Sequence, residues 1–314
     1  MRSHVTDTND HGHLLKRYHI WSKTRYPAKG WVFSSLVFIA IAVFIRQLSG
    51  DVFVEPTDIV KAFAVGCFFL LLRIYDEHKD YEIDLEFHPE RPVASGIVKL
   101  IELRYLFGAA LIIQLALNIT LDGGTGNTTV AWGFAFFWSI LMAKEFFIGE
   151  WLQKRLLIYA LSHMLIMIPL AYWMIFMTNP DFSLSDFRGL VIGAIVFLTG
   201  AVGEVARKIK SPQDEIDGVD SYSSVLGIPG VLSLLVILDL CFYSSLSYLV
   251  TQIGIDGWRL GLCLALPCIA LIVALYQGAK FAKHKSDGQG KKIEDSQGIL
   301  ILMVFVSLIL SANL

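Results

Sequence analysis

The chain has 314 residues, 55% of them hydrophobic and 17% charged, with a formal net charge of −2 and a mean hydropathy of +0.59. A soluble domain carries about 25% charged residues, so this composition excludes a soluble protein, and apolar runs that are continuous rather than alternating exclude a membrane β-barrel. The near-neutral charge says little about partners, and nucleic acid is not among those expected.

In chain order, residues 1–28 are polar, with Asp7, Asn9, Asp10 and several histidines, and read as a cytoplasmic arm. No short apolar core with a cleavage site precedes the first apolar run, so no secretory signal peptide is expected and that run is itself the insertion signal. Residues 29–314 read as one polytopic transmembrane domain. A helix needs about 20 apolar residues to cross a bilayer. That length predicts nine spans, at 30–48, 57–75, 98–118, 130–147, 156–177, 187–206, 228–251, 258–278 and 295–313. Of the 26 lysines and arginines, only Arg46, Lys61, Arg188 and Arg259 fall on the side away from the N-terminus. The others lie with the arm and with the loops near 76–97, 148–155, 207–227 and 279–294. An excess of Lys and Arg marks the cytoplasmic side, which places the N-terminus and all large loops in the cytoplasm. Cys67, Cys241, Cys263 and Cys268 lie in apolar spans without metal-ligand company and read as packing residues. His163, in the middle of the fifth span, reads the same way.

The second span ends in Arg73-Ile-Tyr-Asp76-Glu77-His-Lys-Asp80-Tyr-Glu-Ile-Asp84. Spacing of four puts Asp76, Asp80 and Asp84 on one helix face within about two turns. Carboxylates stacked so closely repel one another unless positive charge lies between them. Ionisable groups at a membrane are expensive and usually functional. The natural counter-charge is a hard divalent cation such as Mg2+, which prefers carboxylate and phosphate oxygens. Glu77 points about 100° away from Asp76 and is a further candidate for the metal or its surroundings. The loop continues as His88-Pro-Glu-Arg91-Pro92-Val-Ala-Ser95-Gly96. After the sixth span comes Glu204-Val-Ala-Arg207-Lys208-Ile-Lys210-Ser-Pro-Gln-Asp214-Glu215-Ile-Asp217-Gly218-Val-Asp220-Ser221. Two carboxylate clusters on one side of the membrane, facing each other, can hold a diphosphate through bridging Mg2+, with Lys and Arg completing the cage.

On these residues the chain resembles the UbiA superfamily of intramembrane prenyltransferases. The first motif of that family, N-D-x-x-D-x-x-x-D followed by R-P-x-x-S-G, is matched by Asp76-Glu77-x-x-Asp80-x-x-x-Asp84 and then Arg91-Pro92-x-x-Ser95-Gly96. Arg25-Tyr-Pro27 resembles the family's entry to its first helix, and Lys154-Arg155 its pair between the fourth and fifth. The second motif departs from the family: Arg207 and Lys210 stand seven and four residues before Asp214, where acids are usual.

The resemblance implies an all-α membrane protein, a bundle of nine transmembrane helices around a central cavity. It implies Mg2+-dependent transfer of a prenyl group from an isoprenoid diphosphate to a lipophilic or aromatic acceptor at the bilayer. Asp76, Asp80 and Asp84 are then catalytic, and Asp76, Glu77, Asp80, Asp84, Asp214 and Asp217 bind metal. Arg25, Arg91, Lys154, Arg155, Arg207, Lys208 and Lys210 bind substrate, the cations of the second loop touching the diphosphate directly. The alternative is a membrane-bound terpene cyclase of the same superfamily, for which the unusual second motif leaves room. A transporter or cation channel also suits paired acidic sites, but the R-P-x-x-S-G pattern and the acidic spacing argue against it.

Overall fold

In a bilayer every backbone polar group has to find its partner within the protein, which favours helices, and all regular elements among the described residues are helical. The computed structural model describes residues 12–50, 54–215, 220–286 and 288–312. These form two compact units: one takes the described residues up to Phe38 and Pro56–Thr129, the other Ile39–Glu55 and the residues from Val130 onward.

The first unit contains α1 (Leu14–Arg25), the start of α2 (Ala28–Ser49), α3 (Asp58–Lys79), α4 (Tyr81–Phe87) and α5 (Leu100–Asp122). α1 is polar overall, yet it is docked. Arg17 places two guanidinium nitrogens on the Glu102 carboxylate, at 2.5 and 3.1 Å, and the Tyr18 hydroxyl donates to the Glu102 carbonyl at 2.7 Å. Glu102 also accepts from the Lys99 amide at 2.9 Å, which caps the start of α5. Trp21, on the same helix, is fully buried. Pro27 separates α1 from α2, since the residue before a proline is pushed out of helical geometry. Tyr26, at that junction, donates its hydroxyl to the Gly66 carbonyl in α3 at 2.9 Å. A Cβ at Gly66 would lie 2.3 Å from the Trp31 ring, so α2 and α3 approach this closely only because the residue is glycine. The Asp122 carboxylate ends α5 and receives the Gly126, Thr128 and Thr129 amides at 2.9, 3.3 and 2.7 Å. These are otherwise orphaned donors at the start of α6 (Asn127–Ala143).

The second unit holds the remainders of α2 and α6, then α7 (Gly149–Gln153), α8 (Leu156–Met164), α9 (Met167–Thr178), α10 (Phe187–Arg207), α11 (Tyr222–Thr251), α12 (Gly257–His284) and α13 (Gln289–Ser311). Glu145, Phe146 and Phe147, between α6 and α7, all have positive φ (46°, 54° and 60°), an uncommon region for residues with side chains. Asp186 caps α10 by accepting from the Arg188 amide at 2.9 Å. Ser221 and Ser224 cap α11 reciprocally, each side chain on the other's amide at 2.9 Å. The core includes Trp173, Phe242, Phe281 and Phe305, none more than 1% exposed. His163 stacks on Tyr159 with ring centroids 4.1 Å apart, in keeping with a packing role.

Among the described residues, seven helical stretches are long and apolar enough to cross a membrane: α2, α5, α8 with α9, α10, α11, α12 and α13. The chain is thus an integral, multi-pass membrane protein. At the second and fourth predicted spans stand α3 and α6. α3 carries Asp58, Lys61 and Arg73 along its apolar length, the first two buried and paired at 3.6 Å. α6 has 17 residues and stops at Ala143, short of the predicted edge at 147. Among the described residues, composition and length thus support seven of the nine predicted spans.

Candidate functional site

α3 stops at Lys79 because Asp80 leaves helical geometry (φ −90°, ψ 2°), and α4 resumes at Tyr81. The hydrogen-bond register carries across this break. The Asp80 amide donates to the Asp76 carbonyl and the Asp84 amide to the Asp80 carbonyl, both at 2.8 Å. The spacing of four thus keeps its meaning from Asp76 to Asp84. The surroundings of the carboxylates nevertheless differ sharply.

Glu77 is 1% exposed and lies between two guanidinium groups, bonded to Arg25 Nε and, at 3.1 Å, to Arg73 Nη2. Arg25 arrives from the end of α1 and reaches past Glu77 to Asp84, at 3.7 Å. Asp84 is also buried, and its other oxygen accepts from Arg91. Arg91 is delivered by a compact turn. The Ser95 amide donates to the Arg91 carbonyl at 2.8 Å, the Val98 amide to the Pro92 carbonyl at 3.0 Å, and Gly96 takes φ 79°, a value that favours glycine. The Arg-Pro-x-x-Ser-Gly pattern is, in this chain, the turn that sets a guanidinium on Asp84. Asp76 is half exposed, with Arg73 at 3.5 Å. Desolvation on its packed side raises its carboxyl pKa, Arg73 pulling it down and Asp80 adding to the rise. No ion pair among the described residues engages Asp80.

In the second unit, Glu204 near the end of α10 accepts from Arg207 at 2.5 Å and pairs with Lys208 at 2.9 Å. The following segment is tied down by its own polar groups. The Lys210 amide donates to Ser223 Oγ at 2.8 Å, Ser211 Oγ to Asp214 Oδ2 at 2.6 Å, and Ser221 Oγ to Glu215 Oε1 at 2.7 Å. It also lies hard against the start of α13, where a Cβ at Gly290 would sit 2.4 Å from the Ile209 carbonyl oxygen. The Lys210 side chain is exposed and, among the described residues, has no carboxylate partner. Lys154 and Arg155, between α7 and α8, are exposed; the Arg155 guanidinium lies over the Trp151 ring, 4.2 Å from its centroid.

No family model matches the sequence, and no curated protein matches it. Solved structures do match its shape. A structure of digeranylgeranylglyceryl phosphate synthase superimposes with a TM-score of 0.64 at 17% identity, over 95% of this chain and 98% of that one. The apo structure of a UbiA homolog from Aeropyrum pernix K1 gives 0.59 at 17% identity, over 87% and 97%. The chain has the UbiA fold. The resemblance read from the aspartate motif and the Arg-Pro turn is borne out at that level.

Within the UbiA fold the six predicted metal ligands are not equivalent. Asp76 and Asp80 keep accessible carboxylates, whereas Glu77 and Asp84 are taken up by arginines. Asp214 is bonded to Ser211, and Asp217 lies outside the described residues. Among the described residues no three His, Cys, Asp or Glu side chains form a ready-made metal cluster. Two open carboxylates one helical turn apart still suit Mg2+, which binds through one or two carboxylates and fills its remaining positions with water and phosphate oxygens. Of the predicted substrate residues, Arg25 and Arg91 are brought together on Asp84. Arg207 and Lys208 share the single carboxylate of Glu204, and Lys210 stands open. Arg73 was missing from the predicted set. Its signal was its place four residues before Glu77, the spacing at which an Arg–Glu pair meets on a helix.

Proposed function

We propose that the protein is an intramembrane prenyltransferase that uses Mg2+ to ionise an isoprenoid diphosphate and passes the prenyl group to a lipophilic or aromatic acceptor. The observation that carries this reading is the open Asp76–Asp80 pair, backed by an arginine-locked Glu77 and Asp84, on a chain with the UbiA fold. In this reading α3 and α6 complete nine spans, and the N-terminus and both motif loops are cytoplasmic.

Asp76 and Asp80 would hold the metal, which supplies charge neutralisation on the departing diphosphate. Arg25, Arg73 and Arg91 fix the acidic face, so that the open carboxylates are preorganised when negative charge develops. Lys210 contributes an unpaired ammonium to the diphosphate oxygens. The long apolar helices give the isoprenoid tail an environment that excludes water from the allylic cation. The cyclase reading rests on the same residues, with the cations of the second loop standing where the family usually has acids.

Incubation of the purified protein with farnesyl and geranylgeranyl diphosphates, with and without Mg2+, tests the proposal. Diphosphate release that needs both Mg2+ and an added acceptor supports the transferase. Hydrocarbon products without acceptor select the cyclase, and no release at any chain length rejects both.

Two further results are expected. A charge-assisted bond to phosphate contributes about 1.5–3 kcal/mol, and ~1.4 kcal/mol is a factor of ten. Lys210→Ala is therefore expected to raise the KM for the prenyl diphosphate roughly ten-fold, with Mg2+ dependence little changed. Arg207→Ala, which removes a cation already paired with Glu204, should have a smaller effect. Unchanged substrate kinetics in Lys210→Ala would reduce the basic cluster to a topology signal. Single cysteines at the exposed positions Glu82 and Asp220, in a background lacking the four native cysteines, are expected to react with an impermeant thiol reagent from the same side of the membrane. Labelling from opposite sides would rule out a shared substrate.

A further inference from the structure

Within the second unit, α11, α12 and α13 line an open-sided cavity of about 460 Å³, remote in sequence from the aspartate motif. Small side chains on α12, Ala274, Gly278 and Ala279, open it opposite Leu232 and Leu235 of α11. Val236 and Ile237 also line it and are exposed on the unit's surface, 37% and 58% respectively. Since α11 is a membrane-spanning helix, the cavity is reached from lipid.

The wall is polar at one conspicuous place. Asp239 of α11 and Gln297 of α13 meet there, with Gln297 Nε2 donating to Asp239 Oδ2 at 2.8 Å. Each is 1% exposed. The bond uses one carboxylate oxygen and leaves Asp239 Oδ1 and Gln297 Oε1 with no hydrogen-bond partner. Buried acceptors are normally satisfied, and an ionisable residue near the middle of a 30-residue spanning helix is expensive to keep. What these two oxygens lack is a hydrogen-bond donor: the hydroxyl of Ser233, which also lines the cavity, bonds to neither.

We infer that this cavity binds a lipophilic alcohol, with its hydroxyl donating to Asp239 or Gln297 and its apolar body lying along α11 and α12. The volume falls in the range of small-molecule sites, about 300–1,000 Å³. A neutral hydroxyl enters from the bilayer with a far smaller desolvation penalty than an ammonium group, which has to shed its water as a full charge. The inference does not depend on prenyl transfer, because none of these residues belongs to the aspartate site.

The test is photolabelling of the full-length protein in lipid nanodiscs with three probes that share one long diazirine-bearing chain and end in a hydroxyl, a methyl ether or a primary amine. The alcohol is expected to label peptides of α11 and α12 around residues 232–239 and 274–282 roughly ten-fold more than the methyl ether, which cannot donate. In the double variant Asp239→Leu, Gln297→Leu that preference should vanish. Replacing both partners of a buried bond by apolar groups is close to neutral for folding, so its unfolding temperature should stay near wild type. If the double variant fails to fold, the comparison of alcohol with methyl ether in wild type decides alone. Equal labelling by alcohol and ether, stronger labelling by the amine, an unchanged preference in a folded double variant, or no label on α11 and α12 overturns the inference.

Discussion

Asp80→Ala is expected to abolish prenyl-diphosphate turnover, by about 100-fold or more, while leaving the protein folded. The size follows from what is removed: a carboxylate whose charge is used when the diphosphate departs, a class of interaction worth about 10²–10³ in rate at other sites. The retained fold follows from the structure. No ion pair among the described residues depends on Asp80, and its amide, the part that continues the helical register, is unaffected by the substitution. Asp84→Ala supplies the contrast. Asp84 is buried beneath Arg25 and Arg91, so its removal should lower both activity and the unfolding temperature. Turnover in EDTA should be lost as in Asp80→Ala. A near-normal Asp80→Ala enzyme, or full activity in EDTA, would remove the metal from the mechanism and the aspartate face with it.

The aspartate face was legible in the sequence because helical periodicity is local: a spacing of four survives even the break at Asp80. The Arg-Pro-x-x-Ser-Gly turn was legible for the same reason, since proline and a left-handed glycine set its geometry within six residues. The division of labour among the carboxylates was not. Glu77 is held by Arg25, 52 residues earlier in the chain, and nothing local marks that pair. α1 read as part of a polar cytoplasmic arm because its polar residues outnumber its apolar ones; its docking rests on Arg17 meeting Glu102, 85 residues away. Composition and length pick out fewer spans than predicted where an apolar run carries internal charges. In α3, Asp58 and Lys61 pair with each other inside the helix, an arrangement that hydropathy alone cannot tell from two exposed charges.

Arg25→Ala is expected to destabilise the first unit by about 3 kcal/mol, the low end of the roughly 3–5 kcal/mol that follows from stripping one partner from a buried pair. The cost arises from what stays behind. Glu77 and Asp84 have side chains only 1% and 4% exposed, and Arg25 itself is 13% exposed, so water reaches none of them well. Arg73 remains on Glu77 and Arg91 on Asp84, which is why the low end is expected rather than the high one. Lysine is no equivalent substitute: a single ammonium lacks the forked donors that let one guanidinium touch both carboxylates, so Arg25→Lys should recover only part of the loss. The decisive comparison is the double variant Arg25→Ala, Glu77→Gln. Neutralising Glu77 removes much of the uncompensated charge, and the double variant should unfold at a higher temperature than Arg25→Ala alone, although Glu77→Gln in the wild-type background lowers stability. Thermal unfolding in detergent reads all four proteins. If Arg25→Ala melts with the wild type, or Glu77→Gln fails to rescue it, then Arg25 does not carry the buried acids, and the open state of Asp76 and Asp80 needs another explanation.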